Sequence, residues 1–377
     1  MVAVPSSELH VTTIDTAIGT AVDLDGDVVG TDPAQAETSM PGVVESHFQL
    51  LVDLTDERGL FEHVKGKTRE DRLGYCTDDN ALLLVVTSRE PHDPLAKHLS
   101  HLALNFVLDA LDDQGRFHNR MDRSGKWADR PRTNDWWGRS IWGLGTAVSS
   151  HDDASVREMA LKGFESAIQQ RSQSARTSAF AAFGAAEVLS AIPNHAGAKA
   201  LLSDASSVIP HARSGAWEWP EPRLTYANAV LPHALIVSGN SLEQPRLVDR
   251  GLELLAWLLD RQTRNGHLSF VGLKGEGPTD AGPSPDQQPV EASSLADACW
   301  SAYSLTNEKK WVDGIRSCAA WFNGDNDAET FMFEAGSNAN ATRTPVGNDT
   351  PRTAGSVIWN HGAESMLAYI STMQRFA

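Results

Sequence analysis

Two kinds of helix alternate six times along the 377-residue chain, which predicts an all-α fold, an (α/α)6 toroid of six helical hairpins. One kind is amphipathic, with charged residues along one face, as in the segment 245–262. The other kind is rich in alanine, glycine and serine and carries little charge, which is typical of a helix that packs on all sides. No long run of alternating β-branched residues competes with this helical pattern.

The amphipathic helices are expected to form an outer layer and the small-residue helices an inner layer. The outer helices are predicted at 43–54, 94–112, 154–170, 196–208, 245–262 and 308–322. The inner helices are predicted to begin near Asp79, Gly138, Thr177, Tyr226, Glu291 and Gly362. Their uneven spacing favours a closed ring over the alternative, an open solenoid. Longer loops lead into the inner helices, so we expect the functional site around the inner-helix starts.

The first 42 residues differ from the rest of the chain because they are poor in helix-forming residues. They contain the pair Asp25-Gly26 between two apolar stretches, which is typical of a hairpin turn. We therefore expect an N-terminal extension at 1–42 that contains a β-hairpin. The remaining residues, 43–377, are expected to form the catalytic toroid.

Composition excludes several classes of protein. Lysine and arginine number 32 against 49 aspartates and glutamates, and the resulting charge of −17 argues against a nucleic-acid partner. The longest aliphatic run, 81–86, is far shorter than the roughly 18 residues of a membrane helix. Three scattered cysteines and the absence of a secretory signal predict a cytoplasmic protein. No cofactor is predicted, since no phosphate-binding glycine loop occurs, and no metal, since His98 and His101 lack a third ligand.

Acidic residues recur at the predicted inner-helix starts and in the loops before them. Helix capping accounts for part of this pattern. The candidate catalytic carboxylates are Asp79, Asp135, Glu218, Glu291 and Glu364. Asp135 and Glu291 are the predicted chemical pair, because adjacent tryptophans would shield Asp135 from water and two glutamines precede Glu291.

Six of the 11 tryptophans lie in the same loops or beside the helix starts. An indole face covers the C–H patch of a pyranose, while nearby carboxylates and amides bind its hydroxyl groups. The alternative is a well-packed rim without a ligand. The candidate sugar-binding residues are Asp78, Trp136, Trp137, Arg139, Trp217, Trp219, Tyr226, Asn228, Gln287, Gln288, Asp325, Asp327, Trp359 and His361.

Six motifs near the inner-helix starts resemble those of a bacterial family of helical-toroid proteins. The motifs are DDNALL, NDWWGRSIWGLG, YANAVLPHAL, DQQPVEASSLADA, GDND and NHGAESMLAYI, and the resemblance spans about residues 43–373. Members of that family are often loosely labelled glycosyltransferases or glycosidase-like proteins. The family motif NQGAES has His361 in place of its glutamine here. The chain is also similar to the six-hairpin glycosidases, which implies an acid–base pair at the mouth of the toroid.

Glycoside hydrolysis by two carboxylates is therefore the leading functional hypothesis, with a carbohydrate as the partner. One alternative is a sugar epimerase or lyase that uses His233 and His361 as bases. Another alternative is a carbohydrate-binding toroid without catalysis. The segment 116–139 carries seven basic and three acidic residues, which either neutralise neighbouring acidic loops or recognise an anionic sugar.

Overall fold

Twelve helices and eight short strands make up the regular structure of the residues described in this computed structural model. The structure describes residues 48–65, 68–69, 74–211, 215, 217–280, 282–284, 286–332, 344–345 and 359–376. The predicted extension at 1–42, with its β-hairpin, lies outside these residues.

Outer and inner helices alternate along the chain as predicted. The outer helices are α1 (Gln49–Val52), α3 (Pro94–Ala110), α5 (Ala154–Ala167), α7 (Ala196–Val208), α9 (Pro245–Gln262) and α11 (Lys309–Phe322). The inner helices are α2 (Thr77–Ser88), α4 (Asp135–Ser150), α6 (Ala175–Ala191), α8 (Val230–Ser241), α10 (Pro289–Thr306) and α12 (Ala363–Phe376). Each inner helix packs against the next one, and α12 packs against α2. The inner layer is therefore a closed ring, and the predicted (α/α)6 toroid is confirmed.

The outer helices bury one stripe of side chains against the ring. In α9 the buried positions include Gly251, Leu254, Leu255 and Leu258, which recur at the helical period. In α3 the side chain of Asp93 caps the helix by accepting hydrogen bonds from the first free backbone amides. The hydrophobic core thus lies between the two layers of helices and inside the inner ring.

Glycines let two inner helices approach until their backbones touch. A Cβ atom added to Gly145 of α4 would lie 2.2 Å from the carbonyl oxygen of Gly184 in α6. A Cβ atom added to Gly184 would lie 2.0 Å from the carbonyl oxygen of Ile141. No larger residue fits at either position without separating the helices, so these glycines set the width of the ring.

Two helices begin or end away from their predicted limits. Helix α8 begins at Val230 rather than near Tyr226, because Ala227 has a left-handed backbone with a φ of 44°. Helix α1 covers only part of the predicted 43–54, because the chain turns and Thr55 pairs with Leu60. Residues 43–47 lie outside the described part.

The strands are short and lie in loops that lead into the inner helices. The strands are β1 (His63–Lys65), β2 (Thr68–Arg69), β3 (Tyr75–Cys76), β4 (Arg120–Met121), β5 (Thr263–Arg264), β6 (His267–Leu268), β7 (Thr344–Pro345) and β8 (Trp359–Gly362). One sheet has the order β2-β1-β8-β7, and β3 pairs with β4 and β5 with β6, all antiparallel. The pairing of β1 with β8 links the entry of α12 to the loop before α2. Among the described helices, none is both long and apolar enough to cross a bilayer.

Candidate active site

The N-terminal ends of three inner helices bring a buried arginine and two carboxylates together. The guanidinium of Arg139 in α4 lies 3.3 Å from the carboxylate of Glu364 in α12. It lies 3.7 Å from the carboxylate of Asp78 in α2. We call the end of the toroid formed by the inner-helix N-termini the N-terminal mouth. The ion pairs of Arg139 therefore tie three of its helices together.

Asp78 combines burial with a set of charged neighbours. Burial raises the pKa of Asp78 to about 6, against the opposing charge of Arg139, and the carboxylates of Asp135 and Glu364 add to the rise. Asp79 is almost fully buried, and burial followed by the charge of Glu364 raises its pKa well above the ordinary value. Two adjacent carboxyl groups at the start of α2 thus keep their protons to a higher pH than an ordinary aspartate does.

Arg139 remains charged at the centre of this group. Burial alone would lower the pKa of Arg139, but the carboxylates of Asp78, Glu364 and Asp135 outweigh it and raise that pKa. The guanidinium also lies 5.0 Å from the centre of the Phe180 ring, within the range of a cation–π contact. The described residues contain no group of three or more histidine, cysteine or acidic side chains arranged to hold a metal ion.

Asp135, the first residue of α4, accepts hydrogen bonds from two hydroxyl groups. The hydroxyl of Thr177 donates to one carboxylate oxygen at 2.5 Å, and that of Tyr226 donates to the other. Tyr226 is 42% exposed, so its ring faces solvent beside the carboxylate. This arrangement fixes the orientation of the Asp135 carboxylate and places an aromatic surface next to it.

The loop that carries Tyr226 is held by a buried arginine. The Nε of Arg176 donates to the carbonyl oxygen of Tyr226 at 2.6 Å. Its two terminal nitrogens donate to the carboxylate of Glu221 at 2.7 and 2.8 Å in a bidentate ion pair. The Arg176 guanidinium also lies 5.1 Å from the centre of the Tyr226 ring. Arg176 therefore holds both the backbone and the ring of Tyr226 in place.

Glu291 holds the same loop from the start of α10. Its carboxylate accepts hydrogen bonds from the backbone amides of Ala227 and Asn228 and, at 3.0 Å, from the side-chain amide of Asn228. Burial raises the pKa of Glu291 to about 6, although these hydrogen bonds oppose the rise. Both carboxylate oxygens of Glu291 therefore accept hydrogen bonds from the strained turn at Ala227. Glu291, the predicted chemical partner of Asp135, thus contacts this turn.

The tryptophans predicted to contact sugar lie mainly in packed surroundings. Trp137 and Trp219 have almost no exposed surface, and Trp217 is nearly as buried. The indole N–H of Trp137 donates to the carbonyl oxygen of Gly115 at 3.1 Å. Trp136 is half-buried, and its N–H donates to the carbonyl oxygen of Phe117 at 2.7 Å.

A second polar network gathers predicted residues at the start of α10. The side-chain amide of Gln287 donates to Asp327 at 2.5 Å, and His267 contacts the same carboxylate at 3.0 Å. Gln288 donates to the carbonyl oxygen of Asp286 at 3.0 Å. These contacts connect loops to one another and do not include Asp78 or Asp135.

Four predicted residues remain, Glu218, Asp325, Trp359 and His361. Glu218 and Asp325 are exposed in loops. Trp359 and His361 lie in β8, with His361 opposite Val64, and their side chains are outside the described part.

The basic segment 116–139 supplies cations to neighbouring acidic groups. Arg116 pairs with Asp112 at 2.7 Å, and Arg120 pairs with Glu62. Together with Arg139, these ion pairs use three of the seven basic side chains for internal neutralisation.

Sequence reasoning overlooked three residues of the mouth: Arg176, Thr177 and Glu221. The available signal was Arg176 itself, the one basic residue of an inner helix that is rich in alanine and phenylalanine. Such a residue is buried only when it is paired, so its presence predicted an acidic partner.

The sequence matches no model of a known protein family and no curated protein. Similar solved structures include a sugar epimerase from a ruminal bacterium, a cellobiose 2-epimerase from Spirochaeta thermophila and the GH76 alpha-mannanase of Bacteroides thetaiotaomicron. Their TM-scores are 0.61, 0.59 and 0.56, at identities of 12%, 11% and 12%. The matches cover 87%, 86% and 87% of this chain and 96%, 92% and 92% of those chains. At such identities the likeness shows the fold, and the chain is an (α/α)6 toroid.

Proposed function

We propose that this protein is a glycoside hydrolase that cleaves an oligosaccharide or glycan at the N-terminal mouth. Asp78 is the general acid, and Asp135 is the base or nucleophile. The observation that carries the proposal is the contrast between these two groups. Both side chains are partly buried, but burial raises the pKa of Asp78 to about 6, whereas the Asp135 carboxylate accepts two hydroxyl hydrogen bonds. Two carboxyl groups in different environments are what acid–base glycoside cleavage requires.

The proton movements follow from this arrangement. Asp78 gives its proton to the glycosidic oxygen as the bond to the anomeric carbon breaks. The negative charge that remains on Asp78 lies 3.7 Å from the Arg139 guanidinium, which stabilises it. Asp135 either takes a proton from the attacking water or attacks the anomeric carbon itself.

Tyr226 and Trp136 supply the aromatic surface next to this pair. Tyr226 is exposed beside Asp135, and Trp136 is half-buried at the start of the same helix. An aromatic face next to a carboxylate fits the C–H and hydroxyl surfaces of a pyranose. The cellobiose 2-epimerase and the alpha-mannanase, whose solved structures share this fold, are named for sugar substrates and support this substrate class.

Sugar epimerisation is the second candidate, because a sugar epimerase and a cellobiose 2-epimerase share this fold. His233 of α8 lines the cavity along the toroid axis, and burial lowers its pKa to about 3, so it stays neutral. A neutral imidazole can take a proton from a sugar carbon. We prefer hydrolysis, since Asp78 and Asp135 at the N-terminal mouth supply the two carboxyl groups that cleavage of a glycosidic bond needs.

The two candidates predict different products from the same incubation. Purified protein is incubated in D2O with gluco-, manno- and galacto-oligosaccharides and with uronate-containing oligosaccharides. Hydrolysis releases new reducing ends without deuterium on sugar carbon, and Asp78→Asn and Asp135→Asn abolish the release. Glu158→Gln, which alters an exposed carboxylate of the outer helix α5, is the matched control and keeps full activity. Deuterium at C2 of an uncleaved sugar contradicts the hydrolase and supports the epimerase.

A further inference from the structure

A second cavity opens at the opposite end of the toroid, where the inner helices end. We call this end the C-terminal mouth. The cavity has a volume of about 590 Å³, within the usual range of small-molecule sites. Its walls come from the last turns of α6, α8 and α10, with Arg89 after α2 and Arg375 in α12. This size fits a ligand of one or two sugar rings.

The two mouths are separated by a wall of aromatic side chains. Trp142, Phe183 and His233 line both this cavity and the narrow cavity along the axis. The rings of Phe183 and His233 lie 4.2 Å apart, and Phe183 packs edge-on against Trp142 at 5.1 Å. The axial cavity holds only about 30 Å³, too little for a sugar ring. A ligand in the C-terminal mouth is therefore distinct from one at Asp78.

The charges around this cavity balance. Arg89 lies 3.1 Å and Arg375 lies 2.6 Å from the same carboxylate, that of the buried Asp297. Asp297 lines the axial cavity, and the charged side chains of this wall are Arg89, Arg375, Lys199, Glu187 and Glu243. When Asp297 is counted with the two arginines that it pairs with, the described residues here hold three cations and three anions, so no net charge selects an ion.

The helix ends at this cavity disfavour an anion. The C-terminus of a helix carries partial negative charge, and several inner helices end here. The hydroxyl and amide side chains in the wall are Ser190, Asn194, Asn240, Ser241, Ser301 and Ser304.

Trp300 provides an aromatic surface at the rim. It lies in α10, is 40% exposed, and has the Arg375 guanidinium 5.5 Å from its ring centre. A large ring is left exposed at the cavity, while Trp311 and Trp321 of the next helix are fully buried. An exposed indole beside a cavity with polar side chains and balanced charge suits the mixed surface of a sugar.

We propose that the C-terminal mouth binds a neutral mono- or disaccharide, independently of the catalytic mouth. Balanced charge, hydroxyl and amide side chains in the wall and an exposed indole together favour this ligand over an anionic or cationic one. The inference does not depend on which reaction the N-terminal mouth catalyses.

The test measures sugar binding by calorimetry in the full chain, with glucose, mannose, galactose, cellobiose and mannobiose as probes and glucuronate and glucosamine as charged comparisons. The Asp78→Asn variant prevents turnover. We expect at least one neutral probe to bind it, and Trp300→Ala in that background to weaken binding at least tenfold. Met159→Ala, which removes an equally exposed apolar side chain from the outer layer, leaves binding unchanged. Trp300→Ala alone leaves turnover unchanged.

Three results would overturn the proposal. One is that no neutral probe binds at millimolar concentration. Another is that Trp300→Ala binds as tightly as its parent while both remain folded by circular dichroism. The third is tighter binding of glucuronate or glucosamine than of every neutral sugar. A substitution of Asn240, exposed at the wall, to leucine provides a second variant that should weaken binding without touching the indole.

Discussion

The Tyr226 hydroxyl donates a hydrogen bond to the Asp135 carboxylate, although the two residues are 91 positions apart in the sequence. This contact depends on a turn with a left-handed residue, Ala227, next to Tyr226. Glu291 and Arg176 hold that turn from two different helices. In the proposed hydrolase they are therefore positioning residues, which would act on the substrate through Tyr226 and Asp135.

Replacing Glu291 by glutamine tests this positioning role. The amide presents a donor to backbone amides that are themselves donors, so at least one buried group loses its partner. We expect Glu291→Gln to lower the free energy of unfolding by about 1–3 kcal/mol and to reduce kcat more than it raises KM. Urea unfolding and steady-state kinetics measure both effects. Glu218→Gln should stay within about 0.5 kcal/mol, and equal stability of the two variants would rule out this role.

Asp78 should make stability depend on pH in a defined direction. Its pKa is about 6 in the folded chain and ordinarily 3.8, so the folded state binds the proton more tightly. Stability is therefore lost as the pH rises from about 4 through 6. The variant Asp78→Asn has no titrating group at this position. We therefore expect its free energy of unfolding, relative to that of wild type, to rise by about 2 kcal/mol between pH 4 and pH 7.5.

Urea unfolding of both proteins at the two pH values measures this difference. Asp122→Asn, which alters an exposed carboxylate, serves as the control and should not reproduce the gain. Parallel pH dependence of wild type and Asp78→Asn would show that Asp78 does not carry a raised pKa.

Gly184 should tolerate no side chain. The nearest atoms to an added Cβ belong to the backbone of α4, which cannot move aside alone. We expect Gly184→Ala to destabilise the fold by about 3 kcal/mol or more, since the two helices must separate. Gly197→Ala is the matched control, because its nearest neighbour is the end of the Ile168 side chain, which can rotate. Thermal unfolding that ranks the two variants equally would contradict the tight packing of α4 and α6.

Helical periodicity was enough to predict the fold, because each helix shows its burial pattern locally. The separation of small-residue and amphipathic helices gave both layers and most helix limits. The loop before α8 was harder, since the left-handed Ala227 depends on Glu291, 64 residues later. The pairing of Arg139 with Glu364 across 225 residues has no local signal either. The sequence also does not distinguish a buried aromatic residue from an exposed one. Trp137 and Tyr226 both lie near predicted helix starts, but of the two only Tyr226 is exposed.

The most direct test of the central claim compares two leaving groups in Asp78→Asn. The substrates are the cleaved oligosaccharide and the 2,4-dinitrophenyl glycoside of the same sugar, whose leaving group needs no proton. If Asp78 is the general acid, the variant loses about 10²–10⁴-fold in kcat/KM on the oligosaccharide and stays within tenfold of wild type on the activated glycoside. Asp135→Asn loses activity on both. An equal loss on both substrates in Asp78→Asn would contradict the assignment of Asp78 as the acid.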